Sequence, residues 1–138
     1  MKGVINMSER ELKIWCAVKF KKQAPFIIDF LIEVSLGEKM IDNNLLKRNN
    51  ILNYHNYFDI LHLRNFHPFL QLSGDRVLRQ LREDGLIKYE CISQHEGIYK
   101  LKSDIFELHN AKQIIERGGY FKEIKPQLDL WEGLCFEK

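Results

Sequence analysis

Residues 73–102, SGDRVLRQLREDGLIKYECISQHEGIYKLK, decide how this chain is read. The first half carries helical punctuation: Ser73 suits an N-cap, residues 74–84 continue the helix, and Gly85 stands where a left-handed residue closes one. Val77, Leu78 and Leu81 recur on one side of that helix, with Leu86 joining them, while Arg76, Arg79, Gln80 and Glu83 fall on another and Arg82 lies at an edge. The second half holds two β-prone runs, LIKYECIS and GIYKLK, joined by QHE and Gly97, the pattern of a hairpin. Arginine and glutamine make paired hydrogen bonds to guanine and adenine edges, and a helix fits the major groove that displays them. The hairpin adds Lys88, Lys100 and Lys102 on its strands and Gln94 and His95 at its tip, groups suited to phosphate or minor-groove contact.

Working upstream, Ile41, Leu45, Leu52, Phe58, Leu61 and Leu63 have loosely helical spacing. Two helices are expected there, broken near NYHNY because asparagine bonds its own backbone in place of the helix. His67 precedes Pro68, which ends the second helix. Three helices followed by a two-stranded wing, over residues 42–102, make the winged helix-turn-helix arrangement.

At the N-terminus Leu12, Ile14, Cys16, Val18 and Phe20 alternate with other residues, and after KKQAP so do Phe26, Ile28, Phe30, Ile32 and Val34. A period of two predicts a β-hairpin with one buried face. Ser8 and Glu11 stand at capping-box spacing, which would start a helix instead. Downstream, Ser103 is placed to cap a helix reaching about Arg117, with Asp104 and Glu107 in its first turn and Gly118 beyond it. The tail over residues 119–136 carries Tyr120, Phe121, Ile124, Leu128, Leu130, Trp131, Leu134 and Phe136, and it needs a surface to lie on. Either it covers the N-terminal hairpin, or with the preceding helix it forms a homodimer or partner interface; two-fold dimers match palindromic DNA sites.

The expected fold is therefore α+β: an N-terminal β-hairpin extension over residues 1–41, a winged helix over 42–102, and a C-terminal helix with an apolar tail over 103–138. At 138 residues, 45% hydrophobic and 29% charged, the chain can bury a core without disulfides. Its net charge of +2 permits a polyanionic partner without demanding one, and residues 43–102 carry nine Lys or Arg against six Asp or Glu. Cys16, Cys91 and Cys135 share no CxxC spacing and read as buried thiols in a reducing compartment. The run PFIIDFLIEV, interrupted by Asp29 and Glu33, is too short for a membrane span, and MKGVINMSERE has no signal-peptide core. The expected location is cytoplasmic, with nucleoid association if DNA is bound.

HPFLQLSGDRVLRQLREDGLIKY followed by GIYKL resembles the C-terminal winged-helix domain of Dam-replacing and related methyl-directed restriction endonucleases. In that family a His-Pro precedes a helix rich in Arg, Gln and Leu. The helix runs into a Leu-Arg-Asp-x-Gly type turn, a strand and a Gly-x-Tyr return. Here Leu81, Arg82, Asp84 and Gly85 correspond to the turn, with Glu83 shifting the spacing, and Gly97 and Tyr99 to the return. The resemblance extends over residues 57–101. It implies duplex DNA binding through the third helix, at Arg76, Arg79, Gln80 and Glu83, and no catalysis, because a separate nuclease domain cuts in that family.

FKKQAPFIIDFLIEV also looks like the core hairpin of PD-(D/E)xK nucleases, whose carboxylates hold a divalent metal beside a lysine. On a strand, however, Asp29 and Glu33 would stand about 13 Å apart, and Ser35 occupies the place of the lysine. His55, His62, His67, His95 and His109 have no ligand spacing, and no phosphate loop or nucleophile motif occurs. No catalytic residue, metal or cofactor is therefore expected. The leading function is double-stranded DNA binding, as a transcriptional regulator or the targeting part of a restriction or mobile-element system. A protein-interaction winged helix in a larger assembly is the alternative, and a degenerate nuclease the third. A solvated helix whose Arg79 and Glu83 pair at i,i+4 would show the same residue pattern without reading DNA.

Overall fold

A helix stands where the alternation pointed to a hairpin. In the computed structural model, which describes residues 9–71 and 74–117 and side chains from Lys22 onward, α1 spans Glu9–Ser35, 27 residues with Pro25 inside. The physical reason lies in FIIDFLIEV, which is apolar at seven of nine positions and so satisfies a period of two and one of 3.6 alike. The residues that distinguish the two are Ile27 and Leu31, which an alternating strand would turn outward. Both are fully buried, with Ala24, Ile28, Phe30 and Val34, along one helical stripe. The capping-box spacing of Ser8 and Glu11 agrees with a helix beginning at Glu9. Pro25 removes one helical N–H at a cost of about 3 kcal/mol. Burial worth about 1.5–3 kcal/mol for each large apolar side chain around it outweighs that loss.

The chain continues as α2 (Asn43–Arg48), β1 (Tyr57–Asp59), α3 (Ile60–Phe66), a 3-10 turn (Pro68–Leu70), α4 (Gly74–Glu83), β2 (Tyr89–Ser93), β3 (Ile98–Leu101) and α5 (Ile105–Glu116). The class is α+β, as expected, but without the N-terminal hairpin. The expected hairpin of residues 86–102 forms, and α3 ends at His67, whose backbone is extended before Pro68. At the end of α4, Gly85 has φ +80. Its N–H donates to Arg82 O at 3.0 Å and that of Leu86 to Leu81 O at 3.1 Å, closing the helix as a glycine C-cap does.

Two local expectations are corrected. The NYHNY break leads into a strand, β1, that no period of so short a segment could announce. Asp104 rather than Ser103 caps α5: its carboxylate accepts the Glu107 N–H at 2.8 Å while Glu107 returns a bond to the Asp104 N–H. Ser103 is buried instead, and its Oγ accepts the Lys88 N–H at 2.7 Å, joining the entry to β2 to the exit of β3. The expected cap at Ser73, the stop at Gly118 and the packing of the apolar tail lie outside the described residues.

The sheet is antiparallel in the order β1-β3-β2, so the last strand is central. Tyr57, Phe58 and Asp59 pair with Lys100, Tyr99 and Ile98. Tyr89, Glu90 and Cys91 pair with Leu101, Lys100 and Tyr99, and the register shifts before Ser93. One core joins the α1 stripe to Phe58, Leu63, Leu70, Val77, Leu78, Leu81, Ile87, Tyr89, Leu101, Leu108, Ala111 and Ile115. The boundary expected at residue 41 therefore separates no cores, since α1 packs on both α4 and α5.

Two junctions fix the corner between β1 and α3. Asp59, 2% exposed, ends the strand and caps the helix. Its carboxylate accepts the His62 N–H at 2.8 Å and the Asp42 N–H at 2.9 Å, and His62 Nδ1 lies 2.9 Å from both oxygens. Gly97, in the hairpin turn with φ +69, accepts the Ile60 N–H at 2.9 Å. A Cβ there would fall 2.6 Å from Ile60 Cγ2, so the turn and the start of α3 approach as closely as a glycine allows. No helix among the described residues is long and apolar enough to cross a membrane.

Candidate nucleic-acid interface

The amphipathic pattern of α4 is realised. Val77, Leu78 and Leu81 are buried, while Arg76, Arg79, Gln80 and Glu83 are all exposed. Its N-terminus lies tight on the preceding turn: a Cβ on Gly74 would sit 3.2 Å from Leu70 Cβ. A side chain at Gly74 would crowd the turn that leads into α4. Arg79 and Glu83 do not pair with each other, and among the described residues Arg76 and Arg79 form no ion pair at all. Gln80 Nε2 donates to both Asp84 carboxylate oxygens, at 3.0 and 3.1 Å.

The flank of α4 that faces the hairpin carries a second group of residues. The Arg82 guanidinium lies 4.4 Å above the Tyr89 ring. Tyr89 and Tyr99 meet edge to face at 5.4 Å, and Tyr99 stacks on Phe58. Burial raises the pKa of the Tyr89 hydroxyl, with nearby Arg82 and Arg79 opposing the shift. Burial also raises that of Tyr99, reinforced by Cys91 and Asp75 and opposed by Arg79 and Arg64. Arg64, at the end of α3, reaches Asp75 in the first turn of α4 at 3.4 Å. Arg64, Asp75, Arg79, Arg82, Tyr89 and Tyr99 thus form a mixed cationic and aromatic group where α3, α4 and the hairpin meet. Sequence reading selected only Arg79 of these six. The signal available for the tyrosines was their alternation with Lys88 and Lys100, which puts them on the helix side of the strands. Nothing in linear spacing links Arg64 to Asp75.

The wing residues divide. Gln94 and His95 are exposed at the tip. The neighbouring Glu96 is engaged by Arg48 at 3.7 Å and by Asn49 at 3.4 Å, which ties the tip to the end of α2. Strand pleating sets Tyr57, Glu90 and Lys100 on one face of the sheet and Phe58, Cys91 and Tyr99 on the other. On the former face Lys100 Nζ lies 5.3 Å from the Tyr57 ring centroid and Lys102 pairs with Glu90 at 3.4 Å. Lys88 pairs with Glu107 of α5 at 3.5 Å. The fold thus brings Arg76, Arg79, Gln80 and Glu83 together and directs the three hairpin lysines elsewhere.

The strand geometry behind the nuclease comparison is absent from α1, where Asp29 and Glu33 lie one turn apart on a helix. Asp29 pairs with Lys112 of α5 at 2.9 Å, a hydrogen bond that raises the lysine pKa. Among the described residues no three His, Cys, Asp or Glu side chains cluster as metal ligands would. His67 stacks on Phe26 at 3.7 Å and His62 is held by Asp59, so these two histidines serve packing and capping. Cys91 is an exposed free thiol rather than the buried one expected, because β2 is the edge strand of the sheet. No protein-family model, curated protein or solved structure matches this chain.

Proposed function

We propose that residues 9–117 form a winged helix-turn-helix that binds double-stranded DNA, with α4 as the recognition helix and the β2–β3 hairpin as the wing. The order helix, strand, helix, helix, strand, strand, with β3 central in the sheet, supports the winged-helix reading. The observation that carries the DNA reading is the solvent side of α4. It presents Arg76 and Arg79 without ion pairs among the described residues, beside Gln80 and Glu83, on a helix anchored by a buried apolar face. A guanidinium that has no carboxylate to leave can bond a guanine edge or a phosphate at little cost. Gln94 and His95 at the wing tip are placed to reach the flanking backbone or minor groove, and Lys88, Lys100 and Lys102 would join only by giving up their present partners.

The modest charge surplus makes this a reader with few phosphate contacts, suited to a regulator or to the targeting part of a restriction or mobile-element system. A homodimer through α5 and residues 118–138 would fit a palindromic site, and the role carries with it a cytoplasmic, nucleoid-associated location. The test is a fluorescence-anisotropy titration of a mixed-sequence duplex at low and physiological salt, comparing the protein with Arg76→Ala/Arg79→Ala. Binding that weakens with salt and is lost in the variant supports the reading. Binding indifferent to those arginines refutes it. A protein-interaction role is the second reading, favoured by Leu61 and Phe106, apolar side chains 62% and 81% exposed on α3 and α5.

A further inference from the structure

We infer that Arg64 is a phosphate anchor outside the recognition helix, and that Asp75 holds its guanidinium and competes with the DNA backbone for it. This rests on the DNA-binding reading of α4 and adds to it a contact residue and a brake. Arg64 stands in the last turn of α3, and its Nη2 lies 3.4 Å from Asp75 Oδ2, with the two side chains 39% and 35% exposed. Full charge-assisted bonds between such groups run to about 2.7–2.9 Å, commonly in parallel pairs. The contact is therefore long, and no full hydrogen bond joins the two groups. A guanidinium has five donors, and Arg64 Nε is buried without an acceptor among the described residues. Arg64 is thus an under-coordinated cation held by one half-exposed carboxylate.

Its position gives that cation a partner. Asp75 and Arg79 stand one turn apart (i,i+4) on one side of α4, so Arg64, held by Asp75 at 3.4 Å, lies beside Arg79 where α3 meets α4. Arg79 belongs also to the solvent side of α4, so a DNA strand that passes Arg79 brings its backbone close to Arg64. A phosphate offers two oxygens to the guanidinium fork, where Asp75 now supplies a distant contact. Asp75 meanwhile repels the same phosphate. Transfer of Arg64 from Asp75 to the backbone would satisfy more of its donors, and Asp75 would lower affinity for every sequence by opposing that transfer.

The experiment is a double-mutant cycle on the full chain, read as the dissociation constant for a mixed-sequence duplex across a salt series. Arg64→Gln should lower the slope of log Kd against log salt by about one and weaken low-salt binding roughly tenfold, whatever the sequence. Asp75→Asn should tighten binding by about three- to tenfold, yet by less than about twofold when Arg64→Gln is already present. An equal gain in both backgrounds would overturn the inference, because Asp75 would then act as a general charge. So would an unchanged salt slope in Arg64→Gln. If Arg64→Gln fails to fold, as judged by its thermal midpoint, Arg64→Lys takes its place. The lysine keeps the charge and cannot form the fork, so retained slope with weakened binding supports the inference, and wild-type affinity refutes it. Absence of any duplex binding by the unaltered protein would overturn the DNA reading itself, whereas duplex binding with an additive cycle overturns this inference alone.

Discussion

Removing one buried carboxylate should loosen three segments at once. In Asp59→Ala the α3 helix loses its N-cap, a change worth about 1 kcal/mol. The Asp42 N–H, 2.9 Å from Asp59 Oδ2, loses a charged acceptor worth about 1.5–3 kcal/mol. The His62 ring adds little, because its side chain is 40% exposed and water can replace the lost bond. The sum is a loss of about 2.5–4 kcal/mol, a substantial share of the roughly 5–15 kcal/mol that holds a typical domain together. Asp59→Asn keeps one acceptor oxygen and should lose about half as much. Equilibrium urea unfolding measures both: with a slope of about 2 kcal/mol per molar, the alanine midpoint should fall by roughly 1.3–2 M. A fall smaller than about 0.5 M would mean that the carboxylate is not the tie between β1, α2 and α3, and the argument from its three donors would fail.

Gly97→Ala should cost at least about 2 kcal/mol, since the left-handed backbone disfavours a side chain and the new methyl would fall 2.6 Å from Ile60 Cγ2. An urea midpoint within error of the parent would refute it. Stability should also decline in alkali. The folded values of Tyr89 and Tyr99 are raised above 10.0 by burial and that of Lys112 above 10.5 by its bond to Asp29. For each group the folded value exceeds the unfolded one, so its contribution is fully present below the unfolded value and is lost as pH rises through the folded one. Urea midpoints recorded from about pH 9 to 11.5 should fall, less steeply in Tyr89→Phe/Tyr99→Phe; a flat profile would contradict the raised values.

How much of this was legible in the sequence depends on whether neighbours along the chain or across it decide each element. The α4 helix, its Gly85 stop and the hairpin around Gly97 were legible because caps, apolar spacing and turn residues are local signals that agree with one another. In α1 they conflicted: near-continuous apolar residues fit both periods, and KKQAP imitated a turn although Pro25 lies within a helix. β1 has three residues and exists because β3 and Met40 offer it partners, which no window around Tyr57 contains. The same division runs through the site. The exposed residues of α4 follow from helical spacing alone, while the Arg64–Asp75 contact and the tyrosines beside Arg82 depend on how α3 and the sheet meet that helix.

The placement of α1 has a consequence for the growing polypeptide. Its apolar stripe, ending at Val34, leaves the ribosome before the surfaces that cover it, which continue to Tyr89 and then to Ile115 of α5. At about 5–20 residues per second, Tyr89 follows Val34 by roughly 3–11 s. Until Phe58 emerges, Ile27, Ile28, Phe30 and Leu31 have only water, each other or a chaperone to meet, and their cover stays partial until Tyr89 and Ile115 follow. Synthesis rate and holdase supply should therefore govern the yield of folded protein more strongly than a core assembled from sequence neighbours would require.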